Sequence, residues 1–114
     1  MKLDAGDSST FAGINRPAAG VTLETILAGL ETLPDVIIQS VLIDGPVTNV
    51  RGAAFEAWLA ALLRIRPRQV QIYSTDYPTA EASVEHVPPF RLRQIAETVI
   101  QRTSLDVRAF WFNP

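Results

Sequence analysis

The run Val36–Ile43 (Val-Ile-Ile-Gln-Ser-Val-Leu-Ile) constrains this chain more than any other segment. It is short, rich in β-branched residues, and bounded by Pro34 and by Gly45-Pro46, which marks a strand. A near-continuous apolar run of this kind is what a parallel strand buried on both faces requires. Amphipathic stretches flank it. Thr22 caps a stripe of Leu23, Ile26, Leu27, Leu30 and Leu33 at helical spacing. A second helix, roughly Gly52 to Leu63, carries Phe55, Trp58, Leu59, Leu62 and Leu63 along one side, and a third places Leu92, Ile95, Ala96, Val99 and Ile100 on one face. Asp7 caps a shorter helical turn with Phe11 and Ile14 inward, which Asn15-Arg16-Pro17 ends.

Val70–Thr75 and Leu105–Phe112 read as further strands, and Lys2-Leu3-Asp4 as the stub of a first. Strands separated by helices predict parallel pairing through right-handed crossovers. The expected fold class is α/β over residues 1–114 as a single domain, either part of a TIM-like (β/α) barrel or a small open sheet. Almost no sequence precedes the first strand-like run, so the chain is expected to begin partway through a domain. Four parallel strands would leave two edges unprotected.

With 114 residues, 47% of them apolar, and a net charge of −2, the chain has the composition of a soluble globular protein. Arg64, Arg66 and Arg68 form the densest positive run, and such arginines at a helix end read as a dipole-compatible cap rather than a phosphate track. No nucleic-acid partner is indicated. No membrane partner is indicated either, because there is no apolar run of spanning length and no signal peptide, so a cytoplasmic location is expected. There is no cysteine and a single histidine, His86. That excludes disulfides, a cysteine nucleophile and thiolate-bound metal centres within this chain, and disfavours a zinc site.

Three strand-like runs stop at an acid: Asp4, Asp44 and Asp76. The carboxyl ends of parallel strands are where such folds place their chemistry, so the three acids point to one rim. Lys2 and Asp4 flank one residue and share a face of their strand, either as a solvated charge pair or as ligand contacts. Asp44, beside Gly45, either caps its loop or lines a site. Asn49 is a loop-stabilising amide or a hydrogen-bond partner for a polar ligand. Arg16 is an anchoring fork for a carboxylate of the protein or of a ligand. Tyr73 closes the third strand and is expected to line the interior with its hydroxyl satisfied by a neighbour. Glu81, Glu85 and His86 fall in the long Asp76–Pro88 loop, whose length points to function. No hydrolase triad, phosphate loop or metal motif is present.

Taken together, Lys2–Asp7 with Ile14–Pro17, Ile38–Gly45 with Asn49, and Val70–Pro78 resemble the carboxyl-terminal half of a radical S-adenosylmethionine protein, in the Fe–S oxidoreductase branch. The resemblance implies strands four to six of a partial barrel plus a terminal strand. It implies S-adenosylmethionine contacts at Lys2, Asp4, Asn49 and Tyr73, with S-adenosylmethionine and a 4Fe–4S cluster as cofactors of the complete family protein. The family's CxxxCxxC cluster loop is absent, so no cofactor is expected in this chain alone and the chain by itself is expected to be inactive. The implied partners are a missing amino-terminal half or a second copy in a homo-oligomer. Two other functions compete: a non-catalytic interaction or structural α/β domain that self-associates or pairs with another chain, and a small magnesium hydrolase using Asp4, Asp44 and Asp76.

Overall fold

The computed structural model describes residues 1–15, 22–44, 48–74 and 85–110. In chain order the elements are α1 (Ser8–Asn15), α2 (Leu23–Glu31), β1 (Ile37–Asp44), α3 (Gly52–Ile65), β2 (Gln69–Ser74), β3 (Glu85–His86), α4 (Pro89–Thr103) and β4 (Val107–Phe110). Arg16, Thr75, Asp76, Glu81 and Phe112 lie outside the described residues, as do the side chains of Ile14, Glu85 and His86.

Local chemistry explains where the helices begin and end. The Asp7 carboxylate accepts the Thr10 N–H at 2.9 Å and the Thr10 hydroxyl at 2.8 Å, satisfying a donor that the first turn of α1 leaves open. Thr22 accepts the Thr25 N–H at 3.2 Å and starts α2, whose Leu23, Leu27 and Leu30 are buried. α3 and α4 stop at Arg66 and Ser104, which adopt left-handed φ values of 50° and 59° and donate their N–H groups to Leu62 and Ile100. Pro67 then prevents α3 from continuing. Gly6 crosses α3 so closely that a Cβ there would lie 2.0 Å from the Ala57 carbonyl oxygen, an approach only glycine permits.

β1, β2 and β4 lie side by side and run parallel, and β3 adds antiparallel to the outer side of β1 at Ile43 and Asp44. The two crossovers, β1–α3–β2 and β2–α4–β4, step across the sheet in one direction, so right-handed connections put α3 and α4 on the same face. On that face Ile38, Ser40, Leu42, Val70 and Ile72 are fully buried, in one core with Trp58, Leu62, Leu92 and Val99. The alternate residues of the same strands, among them Ile37, Gln39, Gln71, Tyr73 and Phe110, are exposed or only partly buried, with Ile43 at the end of β1 the buried exception. Two fork-like ion pairs tie the helices together: Arg64 bridges α3 to Glu24 and Glu31 of α2, and Arg102 bridges α4 to Glu56 of α3.

Two expectations are corrected by this architecture. β1 is not buried on both faces along its length: in its outward set Ile37 and Gln39 are exposed and Val41 is partly buried, and only Ile43 is buried. The sheet is also not a fragment of a TIM-like barrel. It is open, and the outer edge of β1 meets a single parallel bridge at Lys2–Gln39, two side chains and the antiparallel β3 rather than a full parallel neighbour. Right-handed crossovers serve a barrel and an open sheet equally, so strand–helix alternation does not separate the two.

Candidate functional site

The rim residues Lys2, Asp4 and Asn49 come together along the outer edge of β1, and their geometry shows what that edge requires. Met1 and Leu3 pair with Ile37 and Gln39 through backbone hydrogen bonds of 2.7–2.9 Å. Beyond Leu3 the backbone no longer follows β1, and side chains take over. The Asp4 carboxylate, with its side chain 1% exposed, accepts the Val41 N–H at 2.7 Å. The Asn49 amide donates to the carbonyls of Asp4 (2.9 Å) and Val41 (2.8 Å) and accepts the Ile43 N–H at 2.9 Å. Asn49 thereby supplies one donor group and one acceptor to β1, as a neighbouring strand would. Beneath it Trp58 Nε1 donates to Ser40 Oγ at 3.1 Å, and the Ser40 hydroxyl donates to the Leu3 carbonyl. No polar side-chain atom buried among the described residues lacks a partner.

Lys2 has an exposed side chain whose Nζ lies 3.5 Å from Asp4 Oδ2. Asp44 closes a bidentate pair with Arg51 (2.6–2.9 Å) and so pins the entry of α3. Tyr73 stands apart from this edge, on the neighbouring strand opposite Val41. Asp4 and Asn49 therefore share one seam and Asp44 belongs to another, while Asp76, the third acid, lies outside the described residues.

The uncovered face holds a second arrangement that sequence reasoning missed. The strand register aligns Lys2, Gln39, Gln71 and Arg108 in one row and Val41, Tyr73 and Phe110 in the next. Gln39 Nε2 and the Tyr73 hydroxyl both donate to Gln71 Oε1, at 3.1 and 3.0 Å. Gln71 Nε2 donates to Gln69 Oε1 at 2.8 Å, and Gln69 Nε2 donates to Asp106 at 3.1 Å. The Asp106 carboxyl is held below the usual carboxylate range, first by this Gln69 bond and then by Arg108. The Tyr73 ring stacks on Phe110 with centroids 5.2 Å apart and planes 19° from parallel. The signal for this ladder was present in Gln39, Gln69 and Gln71, polar residues at alternate strand positions. Chemically the face can hydrogen-bond and stack. It offers no activated nucleophile and no paired acid and base.

Among the described residues no group of three or more His, Cys, Asp or Glu side chains is placed to hold a metal ion, and no helix is long and apolar enough to cross a membrane. The Asn49 amide is spent on the β1 edge and the Asp4 carbonyl, and Asp4 gives one carboxylate oxygen to the Val41 N–H. The resemblance to radical S-adenosylmethionine enzymes is overturned, and with it the expected role as a fragment of an iron–sulfur oxidoreductase and the expected association with S-adenosylmethionine and a 4Fe–4S cluster. The chain has no cysteine ligand, its sheet is open, and the family's signature does not register. No protein-family model matches the chain, and comparison with curated proteins and with solved structures finds no match.

Proposed function

We propose that this chain is a non-catalytic interaction domain that associates with a second copy of itself through the uncovered face of its sheet. One observation carries the reading: parallel strands are ordinarily covered on both faces, and here the described residues of one face are mostly exposed or only partly buried. Closing it would remove Ile37, Val41, Phe110 and the Tyr73 ring from solvent. A second copy suits the face because the face carries both signs, Lys2 and Arg108 in one row and Asp106 paired to Arg108. Each glutamine amide also carries both a donor and an acceptor, so a glutamine row can pair with its own copy. Two-fold association needs this kind of self-complementarity.

The face measures about 14 Å across the strands and about 20 Å along them. That is less than the roughly 800 Å² per partner of a standard stable interface, so the association is reversible and concentration-dependent. Amide chemical shifts recorded over a concentration series test it. Shifts that saturate and cluster in β1, β2 and β4 are expected; spectra independent of concentration up to the millimolar range would sink the proposal.

A further inference from the structure

On the helix side of the molecule, away from the self-association face, an open cleft of about 350 Å³ runs between the start of α3 and one side of α4. Phe55 gives it an aromatic side with the largely buried Val50 and Ile95 behind it, and Arg91, Gln94 and Thr98 line the α4 side at helical spacing. Thr98 Oγ1 already donates to the Gln94 carbonyl at 3.0 Å. Arg91, partly buried in the first turn of α4, has no ion pair or hydrogen bond among the described residues, unlike Arg51, Arg64 and Arg102, which fork onto carboxylates. Its position is also unfavourable for the helix, since a cation at a helix N-terminus opposes the helix dipole. An unpaired guanidinium placed against the dipole, at the mouth of a cleft with an aromatic wall, is a fork awaiting an anion.

We infer that this cleft binds a small carboxylate with an apolar or aromatic body. The carboxylate meets the Arg91 fork and the Gln94 amide, and the body rests on Phe55, with Val50 and Ile95 behind it. A single fork matches a monoanion bidentately, whereas inorganic phosphate would leave the aromatic side uncovered. The volume lies at the lower end of ligand pockets, which suits a phenyl ring on a short chain.

The test is a titration of the full chain, followed by amide chemical shifts, with 3-phenylpropionate, 3-phenylpropanamide and inorganic phosphate. Saturable shifts at the cleft residues are expected with 3-phenylpropionate, about ten- to a hundredfold tighter than with the amide or with phosphate. Arg91→Gln should remove that preference, Arg91→Lys should recover part of it, and Arg68→Gln, an exposed site at the start of β2, should leave it intact. A peptide ending in phenylalanine, with its carboxylate free or amidated, distinguishes a chain terminus from a free small acid as the source. Arg91→Gln also relieves the helix dipole, so its thermal midpoint should equal or exceed that of the parent, which separates loss of binding from loss of fold. Equal binding of acid and amide, unchanged binding by Arg91→Gln, or no saturable shift in the millimolar range would overturn the inference.

Discussion

The two faces of this sheet are made by alternate residues of the same strands, yet they hold their polar groups in opposite ways. On the helix side and along the β1 edge, Ser40, Asp4 and Asn49 are buried and each closes a specific bond to a strand backbone or to Trp58. On the uncovered side, Gln39, Gln69, Gln71 and Tyr73 bond chiefly to one another. A buried polar atom that loses its partner costs the full desolvation of the group left behind, whereas an exposed one turns to water. The first set is therefore committed to the fold, and the second is available for binding.

The sharpest way to break that comparison is Asn49→Asp. The change keeps the shape but sets a carboxylate oxygen against the carbonyls of Asp4 and Val41, where an amide N–H₂ now donates. A loss of about 3 kcal/mol or more is expected in urea denaturation at neutral pH. Those carbonyls disfavour the charged form and raise the new carboxyl's pKa. Protonation below that raised value restores one donor, so part of the loss should be recovered on mild acidification. An equal loss at both pH values would contradict the bonding assigned to Asn49. Gly6→Ala comes next, because the added methyl meets the backbone of α3 rather than a movable side chain. About 2–3 kcal/mol of destabilisation is expected by the same measurement.

How much of this was legible depended on where each partner lies. The stripe of Leu23, Ile26, Leu27 and Leu30, its Thr22 cap and Leu92, Ile95, Ala96 and Val99 of α4 are local patterns, and the helices formed on them. Leu33, by contrast, falls past the end of α2 and is exposed, as are Leu63 and Ile100. Spacing also placed Lys2 and Asp4 together, since both flank Leu3. The use made of Asp4 was not legible, because its partner Val41 N–H lies 37 residues away. The two-residue β3 was hidden inside a segment read as loop. Barrel closure was misread because crossover handedness is shared with open sheets. Gln39 was passed over inside an apolar run, although with Gln69 and Gln71 it carries the period-2 pattern of a half-covered sheet.

Smaller effects sharpen the contrast from the uncovered side. Gln71→Ala removes the centre of the glutamine ladder, yet stability should change by no more than about 0.5 kcal/mol. A loss approaching that of Asn49→Asp would show that the ladder supports the fold. Glu24, Glu56 and Asp106 all titrate below the ordinary carboxylate range, held there mainly by bonds to Arg64, Arg102 and Gln69 respectively. A carboxylate with a lowered folded pKa adds stability above its unfolded value, about 4, and loses it as pH falls through the lowered folded value. Thermal midpoints should therefore decline on acidification below about pH 4. Asp106→Asn should flatten that decline slightly, its group being exposed and screened.

The central claim is that the open face of the sheet is where a second copy sits. Sedimentation equilibrium of the parent chain beside Tyr73→Lys tests it most directly, because the lysine places an unpaired charge at the middle of the face without entering the core. The parent should show a monomer–dimer equilibrium whose dimer fraction grows with concentration, and Tyr73→Lys should remain monomeric with the far-ultraviolet circular dichroism of the parent and a thermal midpoint that no longer depends on concentration. A parent that stays monomeric throughout, or a Tyr73→Lys variant that dimerises as the parent does, would contradict the account.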